Sequence, residues 1–586
     1  MKSWSIGEVA RFLGIKPYII RYWESELPLL SPRKGLSGRR EYSSREIRLL
    51  MRFRYLLHEK KFTIEGAKRR MWEELGAGEQ DTTARFDAMR ADLVEALMTL
   101  QRGRHSEAPS VDSDGEGATE LGGNVMTEKQ IRETCSAHGQ EHLFQHWEAR
   151  PARLKQRLLS DLASLDFGRL EELRARLRES APGVASPAPV PAPYVALDRS
   201  ARDTEAKDIG DELIRRGKIA LLTVAGGQGS RLGFDGPKGM FAISPLRKLT
   251  LFALHAEKLL AARRWYGAQI PWLIMTSPSN RTETEEYFRR ESWFGLGSSS
   301  VLFFSQGTLP SLSPEGGLLM APDGGLFFNP NGHGGVISAL NERGVLQEMR
   351  DRGVEELSSF QVDNPLVRAP DPVFLGFHRK EGSDISSKVI EKAYAEEKLG
   401  VISLVGGKPC VIEYSDFDEN LMRARGPDGK LTFSQGSIAI HALKVDFLSG
   451  AGLSLPLHIA RKKVKALKPT PQGTEIGEED AVKMEMFIFD AIPMADKAIF
   501  FETERAEEFA PLKNREGMDS IETCIQGQVE KAARWLSGCG VDVPRDGAGQ
   551  PAHLIEISAL FAWSREALAA KRASLQDRID EDTLLA

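Results

Sequence analysis

The stretch that decides the fold is residues 219–240, which read IALLTVAGGQGSRLGFDGPKGM. The apolar run Ile219–Ala225 predicts a buried strand, and glycines follow it at once. Glycine admits positive φ and lets backbone N–H groups come close to an anion, so a strand that runs into such a loop suits a bound phosphate. Gly226, Gly227 and Gly229 are therefore predicted nucleotide-binding residues.

The spacing of this loop fits neither of two common phosphate motifs. A Walker A loop needs Gly-Lys-Ser/Thr after four residues, and the dinucleotide fingerprint needs GxGxxG with an acidic residue about 20 positions later. Arg231 and Lys238 place two cations beside the loop, which suits a triphosphate that is attacked at its α-phosphorus while pyrophosphate leaves. Such a reaction needs positioning and charge neutralisation rather than a general base. The alternative is a glycine turn with two solvated cations.

On both sides of the loop the hydrophobic pattern alternates between short apolar runs and amphipathic segments. Helices are predicted over 249–262 and 283–290, with the short apolar run PWLIMTS between them. After about residue 400, runs such as VISLV and CVIEY predict further strands. Alternation of this kind favours an α/β fold with a mixed, mostly parallel sheet and helices on both faces.

Length and composition indicate a multidomain protein of the ordinary water-soluble class. The 586 residues are 41% hydrophobic and 27% charged. Residues 1–75 hold 17 Lys/Arg against 9 Asp/Glu, a net +8, so the remaining residues carry −13 of the total −5. This segregation suggests separate partners for the two regions. The four scattered cysteines lack metal-ligand spacing, and the N-terminus lacks a signal peptide, so we expect a cytoplasmic location without a membrane partner.

Further motifs follow the glycine loop in a fixed order. They are FFSQGTLPSL, NPNGHGGVISAL, SSFQVDNPLVRAPDPVFLGF, CVIEYSDFDE, QGSIAIHALKVDFL, VKMEMFIFD and RAEEFAPLKNREG. Together with GGQGSRLGFDGPKG, they resemble the eukaryotic-type UDP-sugar pyrophosphorylases, most of all those that act on UDP-N-acetylhexosamines. The likeness runs from about residue 127 to beyond residue 514. It implies a Rossmann-like, glycosyltransferase-A-like nucleotidyltransferase fold.

The resemblance implies roles for residues on the nucleotide side. Gln306 matches a residue that contacts uracil, and Gly332 allows close backbone approach to the nucleotide. His333 stands where the acetylhexosamine enzymes have asparagine, and it is similar to the GHG of the UDP-glucose and broad-range branches. The alternative for His333 is a loop histidine that makes a structural hydrogen bond.

A metal site is implied at Asp363, where an apolar run ends. In open α/β sheets ligands bind at the carboxyl ends of strands, and the matching aspartate of the family holds Mg²⁺. One carboxylate is enough, because water and substrate phosphates supply the other oxygen ligands of this cation. The alternative is an aspartate that starts a turn before Asn364 and Pro365.

The sugar side of the resemblance is less complete. Glu413 and Tyr414 fall in the segment that faces the sugar in the family. Ser437 and Ile440 replace both asparagines of the family's GNIANHFF segment, whereas His441 remains. Because an apolar Ile440 cannot hydrogen-bond an acetamido group or a hydroxyl, the identity of the sugar stays open.

Two lysines complete the implied site. Lys483 and Lys513 occupy the positions of family lysines close to the phosphates, Lys483 on the nucleotide side and Lys513 beside Arg231 and Lys238 as a catalytic cation. A lysine is a compact, mobile cation that can follow charge to departing pyrophosphate. Taken singly, both would be solvated surface lysines.

Residues 4–75 resemble the winged helix-turn-helix of MerR-type transcription regulators. The resemblance places a recognition helix in the major groove and basic residues of the wing on phosphates. The predicted DNA contacts are Tyr18, Arg21, Tyr22, Arg39 and Arg40. A basic helical protein-docking module is the alternative.

We therefore predict six segments, including an N-terminal all-α winged helix-turn-helix domain. They are 1–76, the winged helix-turn-helix; 77–102, an amphipathic helix that allows a homodimer; 103–126, a flexible linker; 127–195, a helical part with a proline-rich connector; 196–519, the catalytic domain; and 520–586, a small C-terminal domain.

The leading hypothesis is a uridylyltransferase that carries a DNA-binding module. It would convert UTP and a sugar 1-phosphate, with N-acetylglucosamine 1-phosphate as first candidate, to UDP-sugar and pyrophosphate, with Mg²⁺ as cofactor. Glucose 1-phosphate or another hexose 1-phosphate is the alternative substrate. In the competing hypothesis the chain is a transcription regulator whose pyrophosphorylase-like domain only senses a UDP-sugar.

Overall fold

The computed structural model describes the chain in two parts. It describes residues 126–179, 187–198, 200–450, 453–470 and 473–586, together with short pieces of residues 4–54. The chain divides into two compact units, Met1–Ala118 and Thr119–Ala586.

The first unit contains a small antiparallel sheet and a helix. Its strands are β1 (Trp4–Ser5), β2 (Arg33–Lys34) and β3 (Arg40–Tyr42), in the order β1-β3-β2, and its helix α1 spans Ser44–Arg54. The rings of Trp23 and Phe53 meet edge to face at 5.4 Å in a buried core. The all-α description omitted this sheet, because two- and three-residue strands leave no period-2 pattern in the sequence.

Several predictions about the N-terminal region fall on residues that the structure does not describe. Tyr18, Arg21, Tyr22 and Arg39 lie outside the described residues, as do the predicted amphipathic helix over 77–102 and the linker up to residue 125. Arg40 lies on β3.

The second unit alternates helices and strands. Its helices are α2 (Glu128–Ala137), α3 (Ala152–Ala163), α4 (Phe167–Glu179), α5 (Ser200–Arg215), α6 (Leu251–Tyr266), α7 (Arg281–Arg290), α8 (Gly335–Glu342), α9 (Val345–Asp351), α10 (Pro372–Lys380), α11 (Glu419–Arg423), α12 (Val445–Leu448), α13 (Arg505–Glu508), α14 (Ile521–Gly538) and α15 (Arg565–Ala569). Its strands are β4 (Val190–Pro191), β5 (Ile219–Val224), β6 (Trp272–Thr276), β7 (Val301–Ser305), β8 (Thr308–Pro310), β9 (Phe328–Pro330), β10 (Glu356–Gln361), β11 (Ile385–Glu391), β12 (Gly400–Val405), β13 (Lys408–Ile412), β14 (Gln435–Lys444), β15 (His458–Thr470), β16 (Gly473–Glu485), β17 (Ala498–Glu502), β18 (Ile555–Ile557) and β19 (Thr583–Leu585).

A ten-stranded mixed sheet organises the described part of this unit. Its main path is β13-β12-β14-β10-β5-β6-β7, while β11 pairs with β14 and β17, and β4 pairs with β12. Strands β10, β5, β6 and β7 are parallel, and β14 runs antiparallel to β10. The expectation of an α/β fold with a mixed sheet and a parallel centre is confirmed.

Local sequence signals account for the strand and helix next to the glycine loop. β5 is buried on both faces, because the consecutive residues Leu221 and Leu222 point to opposite faces and enter separate hydrophobic clusters. Helix α6 begins at Leu251 rather than at residue 249, because the Thr250 side chain accepts the Ala253 N–H as an N-cap. It continues past the predicted end to Gly267, whose φ of 64° ends the helix.

Across the described residues, no helix combines the length and apolar character needed to cross a membrane. The four cysteines are free thiols, and Cys135 and Cys524 are buried.

Candidate active site

The candidate site lies at the carboxyl ends of the parallel strands. The loops after β5, β6, β7 and β10 begin at Ala225, Ser277, Gln306 and Val362. Strands that run parallel end at the same edge of a sheet, which is where open α/β sheets bind ligands. Motifs separated by more than a hundred residues therefore meet at one edge.

The glycine loop is held open by its own backbone and by one buried asparagine. Gly229 donates its N–H to Gly236 O at 2.9 Å, and Lys238 donates its N–H to Gly227 O at 3.1 Å. The Asn280 amide donates to Ala225 O at 3.0 Å. Among the described residues, no acceptor takes the N–H of Gly226 or Gly227. These two N–H groups suit an anion, whereas that of Gly229 is already used within the loop.

Gln306 lies directly against the glycine loop. Its own N–H donates to Thr276 O at 2.9 Å, and its side chain is buried. A Cβ on Gly226 would stand 2.8 Å from Gln306 Nε2, so a larger residue at 226 would displace the glutamine. The residue predicted to contact uracil and the predicted phosphate loop are thus directly adjacent.

Lys238 and Asp363 form an ion pair at this sheet edge. Lys238 Nζ lies 3.1 Å from Asp363 Oδ2, and the side chains are 19% and 17% exposed. Lys513 belongs to the same neighbourhood, because Leu512 donates its N–H to Asp363 O at 2.8 Å. Lys513 Nζ in turn faces Asp519 Oδ2 at 3.4 Å. Two lysines and one reachable carboxylate are therefore gathered where a triphosphate would be neutralised.

The NPNGHGG segment turns tightly into helix α8. Gly332 has a φ of 87°, and a Cβ there would stand 2.4 Å from Met486 O, so only glycine fits. His333 Nδ1 accepts the Ile488 N–H at 3.2 Å, and the ring stacks on Phe487 at 5.3 Å. Burial lowers the pKa of His333 to about 4. The ring is therefore neutral near pH ~7, with its proton on Nε2.

Strand β14 places His441 and Ile440 on opposite faces. His441 Nδ1 hydrogen-bonds the Ser387 hydroxyl at 2.8 Å, while its buried Nε2 has no partner among the described residues. Burial lowers the pKa of His441 to about 3. Ile440 is 2% exposed and packs in the hydrophobic core with Ile438, which leaves a sugar almost no surface to contact. Ile440 therefore offers a sugar neither a hydrogen bond nor much surface, and which sugar is bound stays a prediction.

Strand β14 has a local irregularity next to Ile440. Ala439 has a φ of 55°, and the pairing register of β11 with β14 shifts at this point. The irregularity keeps the alternation of faces, since Ile438, Ile440 and Ala442 pack in one hydrophobic cluster whereas Ser437 and His441 lie on the other face. Ser437 is half-buried and pairs with Gly400 of β12. A Cβ on Gly400 would stand 3.4 Å from Glu413 Oε2, so Ser437 and Glu413 are neighbours.

Glu413, which precedes Tyr414 in the chain, lies near a histidine–aspartate pair that the sequence did not indicate. Burial, and then the nearby Asp416, raise the pKa of Glu413. His458 Nε2 lies 2.8 Å from Asp490 Oδ2, and this hydrogen bond raises the pKa of His458 despite its burial. The His458 ring packs on Phe487 at 4.6 Å. This end of the site is lined by aromatic rings and carboxylates.

Two predicted cations, Lys483 and Arg231, are not paired with Asp363 in the way that Lys238 is. Lys483 is paired with Glu485, two residues further along β16. Arg231 is exposed in the short turn Ser230–Leu232 and makes no ion pair with any residue that the structure describes. Lys483 lies opposite Ala460 on β15.

Sequence analysis missed several polar residues at this edge. Asn280 follows the carboxyl end of β6, so its position was an available signal. Asn331 lies within a quoted motif, and its buried Oδ1 has no partner among the described residues. The His458–Asp490 pair had no signal, because its members are 32 residues apart without a shared motif.

The fold and the site together define a class of protein. A glycine loop after the first strand of a parallel sheet, with lysines and a carboxylate at the same edge, is the arrangement of a nucleotidyltransferase. The chain belongs to the family described as UTP–glucose-1-phosphate uridylyltransferase, whose sequence profile matches residues 191–523, more than half of its length. Residues 4–74 separately match the MerR HTH family regulatory protein profile.

Individual relatives cover most of the second unit. The UDP-N-acetylglucosamine pyrophosphorylase of Saccharomyces cerevisiae is 34% identical over 467 residues, covering 75% of this chain and 96% of the yeast protein. The UDP-N-acetylhexosamine pyrophosphorylase-like protein 1 of Homo sapiens is 33% identical, covering 76% and 94%. A crystal structure of the Trypanosoma brucei UDP-N-acetylglucosamine pyrophosphorylase with an inhibitor superposes with a TM-score of 0.64 at 25% identity, covering 80% of this chain and 99% of that one.

Proposed function

We propose that this nucleotidyltransferase converts UTP and N-acetylglucosamine 1-phosphate to UDP-N-acetylglucosamine and pyrophosphate. The observation that carries the proposal is the Lys238–Asp363 pair at the sheet edge, next to the open glycine loop and to the chain that leads into Lys513. The relatives that match along three quarters of the chain bear names for this reaction.

The chain's own residues would divide the work by position. The N–H groups of Gly226 and Gly227 would bind phosphate oxygens, and Gln306 would recognise the uracil edge at the inner side of the same loop. Lys238 and Lys513 would neutralise charge that develops as pyrophosphate leaves. No side chain has to remove a proton, because the attacking phosphate oxygen is already ionised.

Asp363 fits a magnesium ligand. Its carboxylate is reachable and offers the oxygen donor that a hard cation prefers. Within the described residues no group of three or more His, Cys, Asp or Glu side chains could hold a metal, so phosphates and water would supply the remaining ligands. When bound, Mg²⁺ would neutralise phosphate charge and polarise the reacting phosphoryl group.

The substrate panel is the test of this proposal. Purified chain with Mg²⁺ and pyrophosphate is offered UDP-N-acetylglucosamine, UDP-N-acetylgalactosamine and UDP-glucose in separate reactions, and UTP formation is measured. We expect UDP-N-acetylglucosamine to give the highest kcat/KM, and an excess of chelator to abolish turnover. UTP formation from none of the three would contradict the proposal. A preference for UDP-glucose would show that the substrate is glucose 1-phosphate instead of N-acetylglucosamine 1-phosphate.

Ser437→Asn is a probe of the sugar end in the same panel. It restores the asparagine that the resemblance gives at this position, which neighbours Glu413 in the structure, and it leaves the phosphate residues unchanged. One added hydrogen bond is worth about 1 kcal/mol, so the preference for N-acetylated sugars should rise about fivefold.

A second proposal concerns the N-terminal unit, which we infer to bind double-stranded DNA. The MerR-type match over residues 4–74, the net charge of +8 in residues 1–75 and the buried Trp23–Phe53 core support it. The described β2 and β3 lie where the resemblance puts the wing.

The full chain should select duplexes from a randomised DNA library, with an affinity that falls linearly with salt on logarithmic axes. Arg21→Ala should weaken binding to the selected duplex by about tenfold or more. Lys129→Ala, an exposed residue of the second unit, is the matched control. Salt-independent binding, or equal binding by Arg21→Ala, would favour the protein-docking alternative.

A further inference from the structure

The loop that follows Lys513 is compact and closely specified. Lys513 and Asn514 both donate their N–H groups to Asp519 O, at 2.7 and 3.0 Å, and the Asn514 amide donates to Met518 O at 2.8 Å. Gly517 and Asp519 have φ values of 80° and 53°, in the left-handed region. These bonds close the loop and leave residues 515–517 exposed at its tip.

Arg515 at this tip lies against the glycine loop. Its Nη1 is 3.3 Å from the place that a Cβ on Gly233 would take. Gly233 has a φ of 71° and ends the turn Ser230–Leu232, which carries Arg231. Two arginines that are 284 positions apart in sequence therefore border the same turn.

The four cations around this turn differ in whether they have a partner. Lys238 and Lys513 each face a carboxylate, Asp363 and Asp519. Arg231 and Arg515 make no hydrogen bond or ion pair with any of the described residues. Glu283 lies against Gly236 in the other limb of the loop but pairs with neither arginine. The exposed carboxylates Asp235 and Glu516 lie on the same two segments, so it is the unpaired guanidinium groups, and not an excess of positive charge, that suit a phosphate.

We infer that Arg515 binds the outer phosphates of UTP, and the pyrophosphate released from them, across the loop from Arg231. The inference rests on the proposed function. The Lys238–Asp363 pair lies at the sheet edge, and the two arginines border the turn that ends the loop, so the triphosphate chain would run from the pair toward them. One guanidinium group can donate two parallel hydrogen bonds to the oxygens of a phosphate. This geometry suits a pyrophosphate that must be bound and then released.

The test compares Arg515→Ala, Arg515→Lys and Glu516→Ala with the unchanged full chain. In pyrophosphorolysis at saturating UDP-sugar, Arg515→Ala should raise KM for pyrophosphate about tenfold, whereas KM for UDP-sugar should change less than about twofold. Arg515→Lys should restore part of the affinity, because it keeps the charge but not the paired geometry. Glu516→Ala, on the same loop, should leave KM for pyrophosphate unchanged or lower it.

An unchanged KM for pyrophosphate in Arg515→Ala would overturn the inference, and so would an equal rise in both KM values. The proposed function fails separately, if the unchanged chain acts on no UDP-sugar at all. In that case calorimetric titration with UTP and with inorganic pyrophosphate still tests Arg515. Weaker binding by Arg515→Ala would uphold its role as a phosphate contact, and equal binding would reject it.

Discussion

Replacing Lys238 with alanine is expected to lower kcat for UDP-sugar formation by about 100- to 1,000-fold. Lys238 Nζ lies 3.1 Å from Asp363 and is held next to the glycine loop by its own N–H bond to Gly227 O. The variant would lose a cation at the place where the charge of the leaving pyrophosphate develops, so the loss should fall on kcat more than on KM for the sugar phosphate. Steady-state kinetics with the preferred sugar 1-phosphate measures it.

Lys497→Ala is the matched control for this variant. Lys497 forms a comparable ion pair with Glu381 at 3.0 Å, but it precedes β17 and pairs through its backbone with Asp384 before β11. Since β11 and β17 are parallel to each other and antiparallel to β14, this pair lies at the sheet edge opposite the site. Kinetics of Lys497→Ala should match the unchanged chain. Turnover by Lys238→Ala within a few-fold of normal would contradict the assigned role.

The same variant separates the enzyme from the pure sensor hypothesis. One outcome is that Lys238→Ala abolishes turnover while UDP-sugar still changes the affinity of the full chain for its selected DNA. That result would show that bound UDP-sugar regulates DNA binding without being turned over. If UDP-sugar changes DNA affinity in neither protein, the two functions are not coupled, because coupling requires a ligand that favours one of two states.

The sequence was most informative where chemistry is local and contiguous. The strand β5, the glycine loop and Lys238 occupy one run of about twenty residues, so their proximity follows from the chain itself. Asp363 could be predicted from the sequence for a related reason. A polar residue that follows an apolar strand lies at the carboxyl edge of a parallel sheet. These features can be predicted from the order of residues alone.

Other features depend on how distant segments meet, which no local pattern encodes. The register shift between β11 and β14 near Ala439 depends on how two strands pair, so no local pattern indicates it. The contact of Arg515 with Gly233 requires the loop 513–519 to fold back on the glycine loop. For His333, the sequence left a choice between a ligand contact and a structural hydrogen bond, and only its contact with Ile488 identifies which ring nitrogen is engaged.

Lys388 is the residue whose importance was least visible in the sequence. It lies on β11 with no exposed surface, and its Nζ donates to Asp371 Oδ2 at 2.6 Å and to Glu508. Burial alone would raise the pKa of Asp371, yet Lys388 and Arg368 hold it below its usual value. Glu508 also accepts from the Asn364 amide through its backbone oxygen at 2.7 Å. This buried cluster therefore supports the chain that follows Asp363 and the chain that precedes Lys513.

Lys388→Met is expected to lower the free energy of unfolding of the second unit by about 3–5 kcal/mol, because two buried carboxylates lose their cation. The measurement is urea unfolding followed by tryptophan fluorescence, with the midpoint compared at equal slope. The double variant Lys388→Met, Asp371→Asn should recover part of the loss, since it removes one cation together with one carboxylate and leaves Glu508 facing Arg368 and Lys531. Asparagine caps helices as well as aspartate does, so the change at position 371 also keeps the N-cap of α10.

The pH dependence of stability gives the same cluster an independent test. Because the pKa of Asp371 is lowered in the folded chain, its contribution is present above the usual aspartate pKa and is lost as pH falls through the lowered value. From about pH 7 to about pH 3, the unchanged chain should lose more stability than the double variant, which lacks Asp371. Equal losses in both, or a Lys388→Met midpoint equal to that of the unchanged chain, would show that the ion pairs contribute little and that packing around Phe374 holds this wall of the site.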